Sequence, residues 1–238
     1  MRRNLEEFNN KHKDTPCVII ASGPSVIEAD LSKLKPYVTI AVNSGYVAYP
    51  DATYFVSDDF SVVRWSYFVD DLRKSKTTIA LLYEDKLAGA AAWFGNRAVL
   101  FRHRTGYNIT DYYDHDNYQS KICQSRTSLG TAIGISHIMM CNPIIIVGLD
   151  CYRLNGVRWF WQLPEWENKP HRVDRRNEDT YSNKSDNTDD DLDDILKYWQ
   201  DHGEEINQKC KVYNASEKSR VTVFPYMSLN DFLEKYHV

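Results

Sequence analysis

The side chains of this chain that could do chemistry follow short apolar stretches, at the points where strands are expected to end. Residues 17–20 form one such stretch, which runs into the turn Ser22-Gly23-Pro24-Ser25. A glycine turn lets backbone N–H groups approach a ligand, and the start of the helix that follows favours an anion. The turn therefore predicts a site for the phosphate or ribose of a nucleotide, with a plain strand-to-helix connection as the alternative.

Polar residues also directly follow the apolar stretches 38–42, 54–57 and 143–149. Thr127 and Ser128 stand at the start of a predicted helix. Because the carboxyl ends of parallel strands meet at one edge of a sheet, we expect them in a single crevice. For Asn43 an Asx turn is the alternative. Asp58 and Asp59 could hold Mg²⁺, bind a ribose or cap the next helix. The nucleotide-binding candidates are Ser22, Gly23, Pro24, Ser25, Asn43, Ser44, Asp58, Thr127, Ser128 and Gly130.

These residues need a sheet to position them, and the alternation of short strands and helices along the chain predicts one. The expected fold is α/β and Rossmann-like, with a mainly parallel sheet and helices on both faces. The 238 residues suffice for a single domain over 1–238. Local patterns also predict a short polar helix over residues 1–15, a late helix from Asp189 that stops at Gly203, and a late strand over 221–225. Residues 153–188 are aromatic at first and then polar, which predicts a lid or an acceptor-binding insertion.

Within this predicted lid, one histidine stands among several cations between residues 169 and 176. A solvated surface loop is the plain interpretation. The functional interpretation is a site for a phosphorylated or sugar-bearing substrate, with His171 or Asp150 as the base that activates an acceptor hydroxyl. The cations that would stabilise a leaving phosphate are Arg172, Arg175 and Arg176.

Composition narrows the class of protein. A 42% apolar and 26% charged chain is typical of a soluble protein, and a net charge of −4 argues against nucleic acid as a partner. Five scattered cysteines without a CxxC pair favour a reducing, cytoplasmic location. We expect no membrane-spanning segment, since no apolar run reaches ~18 residues. The oligomeric state cannot be predicted.

Four short motifs, in this order along the chain, resemble one superfamily: residues 18–25, 42–43, 127–128 and 147–152. The superfamily joins the bacterial lipooligosaccharide sialyltransferases, which use CMP-sialic acid, to the MptE-like domains of hydroxymethylpterin diphosphokinases and flagellin-glycosylation proteins. The resemblance implies a Rossmann-like nucleotide-binding fold with a lid over 153–188. It also implies nucleotide contacts from Gly23, Pro24, Ser25 and Asn43, and donor contacts from Thr127 and Ser128.

The chain departs from the sialyltransferase pattern at two places. Ala21-Ser22-Gly23 stands where those enzymes have Gly-Asn-Gly, and Asn187-Thr188-Asp189 stands where they have a catalytic histidine before the late helix. These departures leave three functions open.

The favoured one is a glycosyltransferase that needs no cofactor, takes a nucleotide sugar, CMP-linked sugars included, and acts on a glycan or other hydroxyl acceptor. The second is an MptE-like pyrophosphokinase, in which Asp58, Asp59 or Asp150 would hold Mg²⁺. The third is a nucleotide-binding domain without catalytic activity.

Overall fold

The computed structural model describes residues 3–104, 121–123, 127–166 and 189–237. Its nine strands are β1 (Arg3–Asn4), β2 (Cys17–Ile20), β3 (Val38–Val42), β4 (Tyr54–Ser57), β5 (Ile79–Tyr83), β6 (Ala98–Arg104), β7 (Lys121–Cys123), β8 (Ile144–Val147) and β9 (Val212–Asn214). They pair in parallel in the order β1-β6-β5-β4-β3-β2-β8-β9, and β7 lies beside the end of β6. The Rossmann-like α/β fold predicted from the sequence is confirmed.

Helices cover both faces of this sheet, and several of the connections are single 3-10 turns. The α-helices are α1 (Gly45–Ala48), α2 (Glu84–Ala91), α3 (Ser128–Ile138), α4 (Asp189–Lys209) and α5 (Leu229–Lys235). The 3-10 turns are Leu5–Phe8, Pro24–Glu28, Leu31–Leu34, Phe60–Arg64, Gly95–Arg97, Phe160–Gln162 and Pro164–Trp166, and Tyr67–Leu72 is a π-helix. None of the described helices is long and apolar enough to cross a membrane.

The central strands are buried on both faces, which explains their continuous apolar sequences. In β2, Cys17 and Ile19 pack into the core on one side of the sheet, and Val18 and Ile20 pack into the core on the other. This division follows from the two-residue period of a strand, which sends neighbouring side chains to opposite faces. The sheet edge that carries the polar residues is thus fixed between two apolar layers.

Three expectations about local structure are wrong, and side-chain packing accounts for one of them. Residues 1–15, predicted as a polar helix, contain the short strand β1 and a 3-10 turn. Gly203, predicted to end the late helix, lies inside α4, because a Cβ atom there would overlap the Val223 side chain packed against it. Residues 221–225, predicted as a strand, lack a ladder, and the segment pairs with β9 through one isolated bridge at Tyr226.

Candidate functional site

A cavity of about 230 Å³ opens where β2, β3 and β8 end. It brings together Ser22, Gly23, Asn43, Thr127 and Ser128 from the predicted nucleotide site, and also Asp150. The expectation that strand ends and the start of α3 form one crevice is therefore met by the geometry. The full lining is Ala21, Ser22, Gly23, Val42, Asn43, Thr127, Ser128, Leu129, Gly148, Leu149, Asp150, Cys151, Tyr152, Arg158, Trp159, Leu192, Ile195 and Trp199.

The turn after β2 is held in place by the carboxylate at the end of β8. Asp150, only 2% exposed, accepts hydrogen bonds from the Ser25 backbone N–H at 2.8 Å and from the Ser25 hydroxyl at 2.6 Å. The Gly23 N–H donates to the carbonyl of Gly148 at 3.0 Å. We call these contacts the Asp150–Ser25 lock. Both oxygens of Asp150 are thus engaged in holding the turn, while its predicted role as a base stays a prediction.

The lock also explains two glycines in the short motifs. Gly23 has an ordinary φ of −68°, but a Cβ atom there would overlap both the Asp150 carboxylate and the Gly148 carbonyl. Gly148 has a φ of +86°, in the region that favours glycine, and a Cβ atom there would overlap Val26. The Gly-Pro-Ser turn and the Gly-Leu-Asp strand end are therefore two halves of one packed structure.

Three backbone N–H groups at this turn are hydrogen-bonded within the protein. Gly23 and Ser25 donate within the lock, Val26 donates back to the Gly23 carbonyl at 3.2 Å, and Pro24 has no N–H. A phosphate bound here would need donors other than these three N–H groups. The contacts of Gly23, Pro24 and Ser25 with a nucleotide remain predictions.

A second carboxylate, at the end of β4, organises the start of α3. Asp58 accepts hydrogen bonds from the hydroxyls of Ser128 and of Thr131, the latter at 3.0 Å, and its Oδ2 lies 3.6 Å from Nε2 of His103. Burial alone would raise the pKa of Asp58. The hydrogen bonds from His103, Ser128 and Thr131, together with the charge of His103, outweigh it and lower that pKa below its ordinary value. Asp58 is therefore ionised at neutral pH.

Asn43 connects this network to the cavity. It takes a left-handed φ of +49°, which asparagine tolerates well, and its Nδ2 donates to the Ser128 hydroxyl at 3.3 Å. Because the ionised Asp58 can only accept, the single Ser128 proton goes to Asp58, and Ser128 must accept from the amide of Asn43. The Asn43 Oδ1 atom is left buried without a hydrogen-bond partner among the described residues.

A second cavity, of about 140 Å³, adjoins the first and shares Ser22, Asn43 and Trp159 with it. Trp161 donates from Nε1 to the Ser44 hydroxyl at 3.1 Å, and Ser44 donates to the Ser22 hydroxyl at 2.8 Å. We call this second cavity the tryptophan cavity. Its lining is Ser22, Asn43, Ser44, Asp59, Val62, Trp65, Tyr67, Trp159 and Trp161.

Among comparisons with known proteins, only the one with solved structures gave matches. No family model and no curated protein matches the chain. The chain is similar to the sialyltransferase CstII from Campylobacter jejuni in complex with cytidine-5'-monophosphate, with a TM-score of 0.51 and 14% identity over 92% of this chain and 86% of that one. The likeness is one of fold.

Two further structures show weaker likeness. CstII in complex with the substrate analogue CMP-3FNeuAc has a TM-score of 0.47 and 14% identity over 91% of this chain and 86% of that one. The MAf glycosyltransferase from Magnetospirillum magneticum AMB-1 has a TM-score of 0.43 and 11% identity over 64% of this chain. The match spans only 28% of the length of that glycosyltransferase.

The remaining predicted residues do not line the first cavity or lie outside the described residues. Asp59 caps the 3-10 turn after β4, accepting from the Ser61 N–H at 2.8 Å and from its hydroxyl at 2.6 Å, so the capping alternative is confirmed for it. Gly130 donates its N–H to the Thr127 hydroxyl at 3.2 Å, which caps α3. The four lid residues, His171, Arg172, Arg175 and Arg176, lie outside the described residues, and their roles stay predictions.

Sequence reasoning missed several residues of the site. Arg158 lines the first cavity, with its guanidinium carbon 5.0 Å from the centre of the Trp159 ring. The alternation of basic and aromatic residues after Asp150 was the available signal for it. His103, with a side chain 8% exposed, carried no motif, and its place beside Asp58 follows from the strand order alone.

Proposed function

We propose that the chain is a glycosyltransferase that binds a nucleotide sugar and transfers the sugar to a hydroxyl of a glycan or another acceptor. One observation carries the proposal: a cavity at the carboxyl ends of the parallel strands, where Rossmann-like folds bind nucleotides, adjoins an aromatic cavity with which it shares Ser22, Asn43 and Trp159. Two adjoining compartments suit a ligand with a nucleotide part and a sugar part. The fold likeness to a sialyltransferase solved with CMP makes CMP the first nucleotide to test.

In this proposal the nucleotide occupies the first cavity. Ser22 and the turn behind it form one wall, and the first turn of α3, with Thr127 and Ser128, forms another. The start of α3 carries the partial positive charge of a helix N-terminus, which favours an anion, although the ionised Asp58 bonded to Ser128 and Thr131 offsets part of that charge. Arg158 is the described cation best placed to stabilise the leaving phosphate, in addition to the predicted Arg172, Arg175 and Arg176.

The chemistry is a substitution at the anomeric carbon of the donor. An acceptor hydroxyl oxygen forms a bond to that carbon, the bond from the carbon to the phosphate oxygen breaks, and the hydroxyl proton passes to a base. His171 is the proposed base. Asp150 is the weaker candidate, because both of its oxygens accept hydrogen bonds from Ser25. The proposed reaction uses the nucleotide sugar as substrate and requires no cofactor.

The pyrophosphokinase alternative has less support. It needs carboxylates that face one Mg²⁺ ion. Asp58 is bonded to residues of α3, Asp59 to its own turn and Asp150 to Ser25. Among the described residues, no group of three or more His, Cys, Asp and Glu side chains is arranged to hold a metal.

Thermal stability in the presence of CMP, UDP, GDP, ATP and GTP, each with Mg²⁺ or with EDTA, tests the proposal, because a ligand of the native state raises the melting temperature. We expect a nucleotide without metal to stabilise the protein, and the matching nucleotide sugar to be consumed in EDTA. Stabilisation by a triphosphate with Mg²⁺ alone would replace the proposal with the pyrophosphokinase. Binding with neither transfer nor donor hydrolysis would replace it with the inactive binding domain.

A further inference from the structure

The tryptophan cavity is too small for a whole nucleotide sugar. Its volume of about 140 Å³ compares with roughly 300–1,000 Å³ for pockets that take drug-sized ligands. It adjoins the first cavity, with which it shares Ser22, Asn43 and Trp159. It therefore suits one ring of a larger or composite ligand.

The aromatic rings of the cavity are arranged for a ring with C–H faces and hydroxyl groups. Trp161 is covered on one side by Trp159, at 5.5 Å between ring centres and 6° between planes, and contacts Trp65 at 5.7 Å and 59°. Since these rings pack on each other, the described tryptophans leave no parallel slot between two of them for a flat base. Beside them, Ser44 donates its hydroxyl proton to Ser22 and Ser22 donates its own to the Val42 carbonyl, so a ligand would meet these two hydroxyl groups as acceptors.

The charge of the cavity favours an uncharged ligand. Asp59 is the charged side chain among the described lining residues, whereas Arg158 lines the nucleotide cavity and not this one. Asn43 adds the buried acceptor Oδ1, which has no partner among the described residues. Acceptors are matched by hydroxyl or amide protons, whereas a ligand carboxylate would bring a second negative charge near Asp59, and no cation stands among the described residues that line this cavity.

We propose that the tryptophan cavity binds an uncharged pyranose ring, from the nucleotide sugar or from the acceptor, and selects against a ring that carries a carboxylate. This inference rests on the proposed glycosyl transfer and names its sugar class. Asp59 supplies the selection and the tryptophans supply the contact surface.

A matched pair of ligands tests the selection. UDP-glucose and UDP-glucuronic acid share a nucleotide and differ in one group, a hydroxymethyl in the first and a carboxylate in the second. Titration followed by tryptophan fluorescence should give UDP-glucose about tenfold tighter binding. This factor corresponds to about 1.4 kcal/mol, close to the ~1 kcal/mol between two unit charges 4 Å apart in water. Equal or tighter binding of UDP-glucuronic acid would overturn the proposal.

Asp59→Asn tests the source of the selection, since asparagine caps a helical turn as well as aspartate does. We expect the preference to fall from about tenfold to about threefold or less. Asp30→Asn is the matched control, because Asp30 accepts from Ser32 N–H and hydroxyl as Asp59 does from Ser61, but outside both cavities. It should keep the full preference. An unchanged preference in Asp59→Asn would remove Asp59 from the proposal.

Further ligands show whether the bound ring belongs to the nucleotide sugar or to the acceptor. They also test the cavity independently of the proposed function. If UDP-glucose binds more tightly than UDP, the ring is that of the donor. If it does not, or if no nucleotide binds and the proposed function fails, methyl glucoside and methyl glucuronide are titrated at millimolar concentration, with and without CMP. Saturable binding of the glucoside alone upholds the cavity as a neutral-sugar site, and binding of neither, or of the glucuronide preferentially, overturns it.

Discussion

Two aspartates follow strands at the same edge of the sheet, and their carboxylates have different hydrogen-bond partners. Asp150, at the end of β8, gives both oxygens to one residue, Ser25, and is 2% exposed. Asp58, at the end of β4, is 17% exposed and divides its oxygens among Ser128, Thr131 and His103. The first carboxylate closes a turn, and the second orders side chains around an open space.

The difference lies in what each network leaves unpaired. In the Asp150–Ser25 lock the N–H groups of Gly23 and Ser25 and the Ser25 hydroxyl each have an acceptor, so these contacts stabilise the fold. The Asp58 network ends at Asn43, whose Oδ1 has no partner among the described residues. Such an acceptor costs about 1–3 kcal/mol unless something bonds to it. We therefore expect variants of the lock to change stability and variants at Asn43 to change ligand binding.

The largest effect should come from breaking the lock by overlap. Gly23→Ala places a Cβ atom on the Asp150 carboxylate and the Gly148 carbonyl, neither of which can move freely. We expect a loss of about 2–4 kcal/mol in the free energy of unfolding, measured by urea denaturation. Gly89→Ala is the control, because nothing lies within 4 Å of its added Cβ and alanine favours a helix. A Gly23→Ala protein as stable as the Gly89→Ala protein would contradict the lock.

A smaller loss should follow from removing one hydrogen bond of the lock. Ser25→Ala deletes the hydroxyl that donates to Oδ1 of the buried Asp150, leaving that oxygen without its donor. The expected cost is about 1–3 kcal/mol in the free energy of unfolding. Ser32→Ala deletes an equivalent hydroxyl bonded to the exposed Asp30, and it should cost no more than about 0.5 kcal/mol. Similar losses in the two variants would mean that burial of Asp150 adds nothing.

The lock also shows what the sequence can and cannot predict. The strands β3 and β4 are present with their predicted bounds, because buried β-branched and aromatic runs specify a strand locally. The sharing of one cavity by the strand ends follows from parallel topology. The pairing of Ser25 with Asp150 joins residues 125 positions apart, and no local pattern encodes such a contact.

The wrong prediction at Gly203 also reflects a contact between residues far apart in the sequence. Gly203 has the residue type of a helix end, but its function is to admit Val223, which only the packed structure brings near. The phosphate cradle expected at residues 22–25 stays a prediction, and the N–H groups of Gly23 and Ser25 are hydrogen-bonded to Gly148 and Asp150, which follow β8. Local patterns predicted that the strand ends share one crevice, and long-range contacts decide which of their polar atoms remain available in it.

The open end of the Asp58 network can be tested at Asn43. Asn43→Gly removes the amide while glycine keeps the left-handed backbone at little cost. We expect about tenfold weaker binding of the nucleotide sugar, equivalent to about 1.4 kcal/mol, with little change in melting temperature. Asn10→Gly is the control, since Asn10 has a similar φ of +60° and lines neither cavity. Unchanged affinity in Asn43→Gly would show that the amide does not serve the ligand.

The smallest expected effect is on the pH dependence of the unfolding free energy in acid. It distinguishes the ionised Asp58 from an uncharged side chain at the same position. Because the pKa of Asp58 is lowered in the folded state, its contribution to stability is fully present above the pKa of the unfolded chain, about 4. That contribution is lost as pH falls from about 4 through the folded-state pKa. Asp58→Asn should therefore flatten the fall in unfolding free energy below about pH 4, measured by urea denaturation at a series of pH values. If the acid slope of the variant equals that of the wild type, the charge of Asp58 is not what holds Ser128 and, through it, Asn43.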